Sequence, residues 1–118
     1  MPYVQLCTSV RLNETKKHEL CDEIGKLMPL IPGKTRDNTM MSIIDGCYME
    51  KINADNPALN FEVRVLGGVP DAHKKDFIEQ ITALFDRMLG VKPDFMSINI
   101  AVFDDWGSGG RFIKAPPK

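Results

Sequence analysis

Apolar and polar residues alternate from Tyr3 to Thr8, with Val4 and Leu6 on one face and Tyr3, Gln5 and Cys7 on the other, which predicts a strand. Leu20, Ile24, Leu27 and Met28 then recur at helical spacing, so the pattern predicts an amphipathic helix over Glu14–Leu27. Asn13 is its candidate N-cap, and Pro29 and Pro32-Gly33 end it. Thr39 to Asp45 reads as a second strand, and Cys47 to Ile52 as a short extra strand at a sheet edge. After a turn at Asn53–Pro57 comes a strand over Asn60–Leu66. Its alternation sets Phe61, Val63 and Val65 against Glu62, Arg64 and Leu66. Phe77, Ile81, Leu84 and Met88 mark a helix over about Ala72–Leu89, with Asp71 as cap and Gly90 closing it. Phe95 to Phe103 is the fourth main strand, with Met96, Ile98, Ile100 and Val102 alternating against Ser97, Asn99 and Ala101. The Gly107–Gly110 stretch and Arg111–Ile113 read as a flexible loop with room for a short strand.

The two halves repeat one plan, strand–helix–strand, and share wording. Met41-Ser42-Ile43 ends the first half and Met96-Ser97-Ile98 the second, 96 − 41 = 55 positions later. Two βαβ units imply two parallel strand pairs in a four-stranded mixed sheet, an α+β fold with both helices on one face. The opposite face is left bare, with apolar residues among the polar ones. That exposure suits self-association, and the pattern equally suits a ferredoxin-like monomer.

At 118 residues the chain is one domain, 1–118, with 43% hydrophobic and 26% charged residues, as for a soluble globular protein. A formal net charge of −1 gives no electrostatic footprint for nucleic acid or an anionic membrane. No apolar run approaches the ~18–20 residues of a membrane span, and the first residues lack the pattern of a signal peptide. Cys7, Cys21 and Cys47 are widely spaced with no C-x-x-C, which fits a reducing cytoplasm rather than a disulfide framework. His18 and His73 each stand alone, so no metal site is expected.

The chemistry candidate is Pro2. Methionine ahead of so small a residue is usually removed, which would leave the proline ring nitrogen as a free secondary amine. Desolvation and nearby cations would lower its pKa from the α-amino reference of ~7.7–8.0, giving a base poised near neutral pH. Read without that chemistry, Pro2 simply opens an edge strand. Lys34 reads alone as a solvated loop lysine, and Arg64 as a partner of Glu62 or of another subunit.

Met1-Pro2, the doubled βαβ plan, Gly33-Lys34 after the first helix and the run Lys92-Pro93-Asp94-Phe95-Met96-Ser97-Ile98-Asn99 together resemble the tautomerase superfamily. Within it the chain looks like the long-chain branch of macrophage migration inhibitory factor and D-dopachrome tautomerase. The resemblance implies a homotrimer with an active site at each subunit interface and no cofactor. It implies cofactor-independent keto–enol tautomerisation of an α-keto acid such as phenylpyruvate, with Pro2 as general base and then acid. Lys34 matches the cation that holds substrate oxygen, and Leu66 the position whose backbone N–H meets the carboxylate or enolate. Asn99 matches a polar contact from the neighbouring subunit. Trp106 and Phe112 match aromatic residues at the pocket mouth. Arg64, on the strand face of Leu66, adds a second cation.

Two departures stand out. Ser97 replaces a tyrosine of the better-known members, and the C-x-x-C tied to thiol-redox chemistry is absent. With the phenol gone and Arg64 added, a smaller or more acidic keto acid than phenylpyruvate becomes the expectation. A superfamily hydratase or dehalogenase, and a non-catalytic cytokine-like binding protein, remain the alternative functions.

Overall fold

The computed structural model describes residues 2–117. Four strands form one sheet: β1 (Tyr3–Thr8), β2 (Met40–Ile44), β3 (Leu59–Leu66) and β4 (Met96–Phe103), in the order β2-β1-β3-β4. β1 runs parallel to β2, β3 runs parallel to β4, and the two halves meet where β1 pairs antiparallel with β3. The expected pair of βαβ units is thus present. The two Met-Ser-Ile runs lie in β2 and β4, so Ser42 and Ser97 occupy the same face.

α1 (Glu14–Leu27) starts at Asn13, whose side-chain oxygen accepts from the Lys16 amide at 2.8 Å. It buries Leu20, Ile24 and Gly25, and the chain leaves through a 3-10 turn at Met28–Leu30 that carries Pro29 at its start. α2 (Asp71–Leu89) buries Phe77, Ile81, Leu84, Phe85 and Leu89, and ends at Gly90, whose φ of 67° favours glycine. Both helices cover the sheet face formed by Val4, Leu6, Phe61, Val63 and Val65. Phe61 meets Phe85 edge to face, with ring centroids 5.1 Å apart, at the middle of this core. Among the described residues no helix is long and apolar enough to cross a membrane.

Three sequence expectations are corrected. Cys47–Ile52 is not a strand: only an isolated bridge joins Lys51 to Asn53, and Ile52 has φ 71°. A β-branched residue in the left-handed region breaks a ladder, which is why the apolar pattern there fails to extend. Asp71 is the first residue of α2 rather than its cap; Pro70 holds the cap position and makes no side-chain cap bond. The tail is no loose loop but a second sheet, a hairpin of β5 (Asp105–Ser108) and β6 (Arg111–Lys114). Gly109 and Gly110, at φ 59° and 78°, supply the two left-handed residues that a tight two-residue hairpin turn demands.

Candidate active site

Pro2 is buried immediately ahead of β1, and its carbonyl accepts from the Met40 amide at 3.0 Å. Met1, whose removal the proline chemistry needs, lies outside the described residues. The bond to Met40 ties the start of β1 to the start of its parallel neighbour β2. The loop carrying Lys34 therefore ends beside Pro2. That loop is held firmly by its own polar groups. Asn38 accepts from the Thr35 amide at 2.9 Å and donates to the Gly33 carbonyl at 3.3 Å, while the Thr39 hydroxyl donates to the Thr35 carbonyl at 2.6 Å. Lys34 is half-buried, and among the described residues no carboxylate lies within ion-pair distance of it.

Because β3 runs against β1, Tyr3 lies opposite Arg64, and the end of β3 comes to the same sheet end as Pro2. Leu66 is the last residue there. Gly67, at φ 85°, turns the chain away and donates its amide to the Phe103 carbonyl at 2.9 Å. Arg64 is not a free cation: its guanidinium pairs with Glu62 at 3.2 Å and stands 5.7 Å from the Tyr3 ring centroid. The Tyr3 hydroxyl shares a 2.7 Å hydrogen bond with Ser42 and donates to Gln5 at 3.0 Å. Tyr3 thus organises the surface next to Pro2. Nothing local in the sequence marks this role, because the cross-strand partners that define it are set by register.

β4 divides the remaining candidates. Its C-terminal end reaches the Pro2 end of the sheet, where Phe103 lies opposite Leu66 and meets Trp106 edge to face at 5.8 Å. Trp106 is half-buried on β5, and Phe112 on β6 is 73% exposed. Both line a shallow hollow of about 450 Å³ with Gly107 and Arg111. Asn99 and Ser97 sit elsewhere. Asn99 lies opposite Glu62, which lies opposite Gln5, three residues past Pro2. At ~3.3 Å per residue that is ~10 Å along the sheet, plus two strand spacings of ~4.8 Å across it. Ser97 lies level with Cys7, ~17 Å along from Pro2 by the same rise. Asn99 donates instead to Asn60 at 3.2 Å, and both Ser97 and Asn99 are exposed on the bare face. A single chain therefore brings Pro2, Arg64 and Leu66 to one sheet end, where the loop that carries Lys34 also ends, and leaves Ser97 and Asn99 facing outward.

The structure compares closely with known ones. A Leishmania major protein named MIF2 superposes with a TM-score of 0.87 over 96% of this chain and 97% of that one, at 21% identity. The fold is that of macrophage migration inhibitory factor. An Entamoeba histolytica migration inhibitory factor-like protein gives a TM-score of 0.83 at 13% identity, over 95% of this chain and 98% of its own. A protein named Pt0534, solved after inactivation by 2-oxo-3-pentynoate, gives 0.79 at 17% identity over 92% and 93%. No family model matches the chain, and no curated protein matches it significantly. Among the described residues of this migration inhibitory factor fold, no group of three or more His, Cys, Asp or Glu side chains could hold a metal ion. The larger hollow, about 710 Å³, lies on the helical side between Lys16, Asp22, Arg36 and Arg87, and Pro2 does not line it.

Proposed function

We propose that the protein is a tautomerase-superfamily enzyme that interconverts the keto and enol forms of an α-keto acid such as phenylpyruvate without a cofactor. The observation that carries this reading is the meeting of a buried Pro2 with the Lys34 loop and the Leu66 strand end at one end of the sheet. Removal of Met1 frees the proline nitrogen. Burial disfavours its charged form, so the amine is available as a base near neutral pH. It takes the proton from the carbon next to the ketone and returns it at oxygen in the enol direction. Negative charge grows on the substrate oxygen during this transfer. Lys34 and the Leu66 amide supply the positive end of the field that stabilises it.

The site is completed by a second copy of the chain. Asn99 and Ser97 are too far from the Pro2 of their own subunit, yet both stand exposed on the bare face. Met40, Ile44 and Phe103 on that face are 67%, 46% and 39% exposed, which suits burial against another copy in a homotrimer. The hydratase and dehalogenase alternatives need Arg64 to hold a carboxylate, and Glu62 already occupies it. The inactivation of Pt0534 by 2-oxo-3-pentynoate, itself an α-keto acid, supports the same substrate class here.

The test uses untagged protein. Intact mass is expected to show loss of Met1, and the protein is expected to speed ketonisation of enolic phenylpyruvate or a smaller keto acid. Pro2→Ala is expected to lose most of the acceleration while staying folded. 2-Oxo-3-pentynoate is expected to add to the Pro2 nitrogen and inactivate the enzyme. Equal rates for wild type and Pro2→Ala would refute the mechanism. Retained Met1 with no turnover would leave a binding protein of the same fold.

A further inference from the structure

Cys7 and Cys47 are forty residues apart in sequence, yet their sulfurs are 3.1 Å apart, with the Cys7 thiol donating to the Cys47 sulfur. The backbone fixes this approach. Past the end of β2, the Gly46 amide donates to the Val10 carbonyl at 3.1 Å and the Cys47 amide to the Thr8 carbonyl at 3.0 Å. These two bonds carry the β1–β2 pairing onward and set Cys47 beside the end of β1. Gly46, at φ 64°, makes the turn that permits it. Both thiols are half-buried rather than sealed. To reach the ~2.05 Å of a disulfide the sulfurs need to close by only about 1 Å.

We propose that Cys7 and Cys47 are a reversible dithiol–disulfide pair, a modification site whose co-reactant is a low-molecular-weight disulfide such as glutathione disulfide. The pair lies at the opposite end of β1 from Pro2 and does not depend on the tautomerase reading. Cys47, having lost its proton to solvent, attacks one sulfur of the small disulfide. The S–S bond of that molecule breaks, one glutathione leaves as thiolate and takes up a proton, and Cys47 carries the other as a mixed disulfide. Cys7 then loses its proton and attacks the Cys47 sulfur. The mixed bond breaks and the second glutathione leaves as a thiol. Two protein thiols are oxidised by two electrons, and one small disulfide is reduced to two thiols.

The order of attack follows from the surroundings. Burial first, then the hydrogen bond and charge of Cys47, with Glu62 adding, push the Cys7 thiol up to about 11, so Cys7 is the partner held protonated. Once Cys47 is capped, its contribution to holding that proton is gone, and Cys7 becomes a better second attacker. The bridge would fasten the segment after β2, which carries the 81% exposed Tyr48, to β1.

The experiment equilibrates the reduced full-length protein with glutathione and glutathione disulfide at increasing oxidised fraction, followed by thiol counting, intact mass and peptide mapping. The free-thiol count is expected to fall from three to one. The mass should drop by two hydrogens, and the cross-linked peptide should join Cys7 to Cys47 within one chain. Dithiothreitol should reverse all three changes. Cys21→Ser should keep the bridge, whereas Cys7→Ser should stall with glutathione on Cys47. Hydrogen exchange at Gly46–Met49 should slow in the oxidised protein. Should Cys7→Ser fold poorly, mapping of the wild type still decides. Three free thiols at every ratio, a lasting glutathione adduct on the wild type, or a bridge through Cys21 or between chains would overturn the proposal.

Discussion

The guanidinium of Arg64 lies over the ring of Tyr3, 5.7 Å from its centroid, while Glu62 on the same strand holds it at 3.2 Å. Arg64 is thus held opposite Tyr3, the first residue of β1, with its guanidinium engaged by Glu62. Glu62→Gln removes the charge that holds it. The pair is partly exposed, so stability is expected to change by less than about 1 kcal/mol. Turnover of a keto acid should show a lower KM at unchanged kcat, because a freed cation strengthens carboxylate binding without touching the proton transfer. An unchanged KM would assign Arg64 to the sheet surface or a subunit seam alone.

Asp45 is the polar clasp between the end of β2 and the start of α1. Its carboxylate accepts from the Leu12 amide at 2.8 Å and pairs with Lys17 at 3.1 Å. The Leu12 bond, then the Lys17 bond, holds its carboxyl below the usual range. The unfolded chain therefore binds the proton more readily than the folded one. Asp45 contributes stability that is fully present above its unfolded pKa, ~3.9, and is lost as pH falls through the folded value. Acid unfolding followed by circular dichroism is expected to begin near that pH, and Asp45→Asn is expected to flatten the acid limb. A variant with the wild-type acid limb would remove Asp45 from this role.

How much of this was legible from the residues varies with the kind of interaction. The four main strands and both helices follow from local periodicity, since Val4 and Leu6, or Phe77, Ile81 and Leu84, mark one face each within a single element. The grouping of Pro2, Lys34 and Leu66 was implied only by the family resemblance, and the strand order was not legible, because both depend on which edges pair. What stayed hidden was set across strands. Tyr3 under Arg64, Asn99 on Asn60 and Cys7 against Cys47 each join positions at least 39 residues apart, and nothing local marks them. The hairpin was legible in principle: Gly109-Gly110 between Asp105–Ser108 and Arg111–Lys114 is a two-residue turn signal that a reading of the tail as flexible passed over.

Thr8 is a fully buried polar residue at the end of β1. Its hydroxyl donates to the Ala58 carbonyl at 2.9 Å and accepts from the Val10 amide at 3.2 Å, joining β1 to the residue before β3. Thr8→Val keeps the shape and removes both bonds. The Ala58 carbonyl still accepts from the Ser9 amide at 3.1 Å, so the Val10 amide bears the main loss. Destabilisation of about 1–2 kcal/mol is expected in urea melts, near the cost of one unsatisfied buried donor. Thr8→Ser, which keeps the hydroxyl, should recover a good part of it.

Gly25 is buried in the last turn of α1 because Arg36 crosses it on the way to Asp22. A Cβ built on Gly25 would lie 2.1 Å from Arg36 Cδ and 2.9 Å from Arg36 Cβ. The guanidinium reaches Asp22 at 3.2 Å and the Met41 sulfur at 3.9 Å, so the arginine straps α1 to the loop that carries Lys34. Alanine in a helix interior normally stabilises by up to about 1 kcal/mol relative to glycine. Here the added methyl must push the base of the Arg36 side chain aside, and Gly25→Ala alone is expected to destabilise by about 1–2 kcal/mol. In an Arg36→Gly background both close contacts are gone and the same change should become stabilising. This reversal of sign, read from a double-mutant cycle in denaturant, is the diagnostic. A destabilising Gly25→Ala in both backgrounds would mean that some other neighbour, and not Arg36, excludes the side chain.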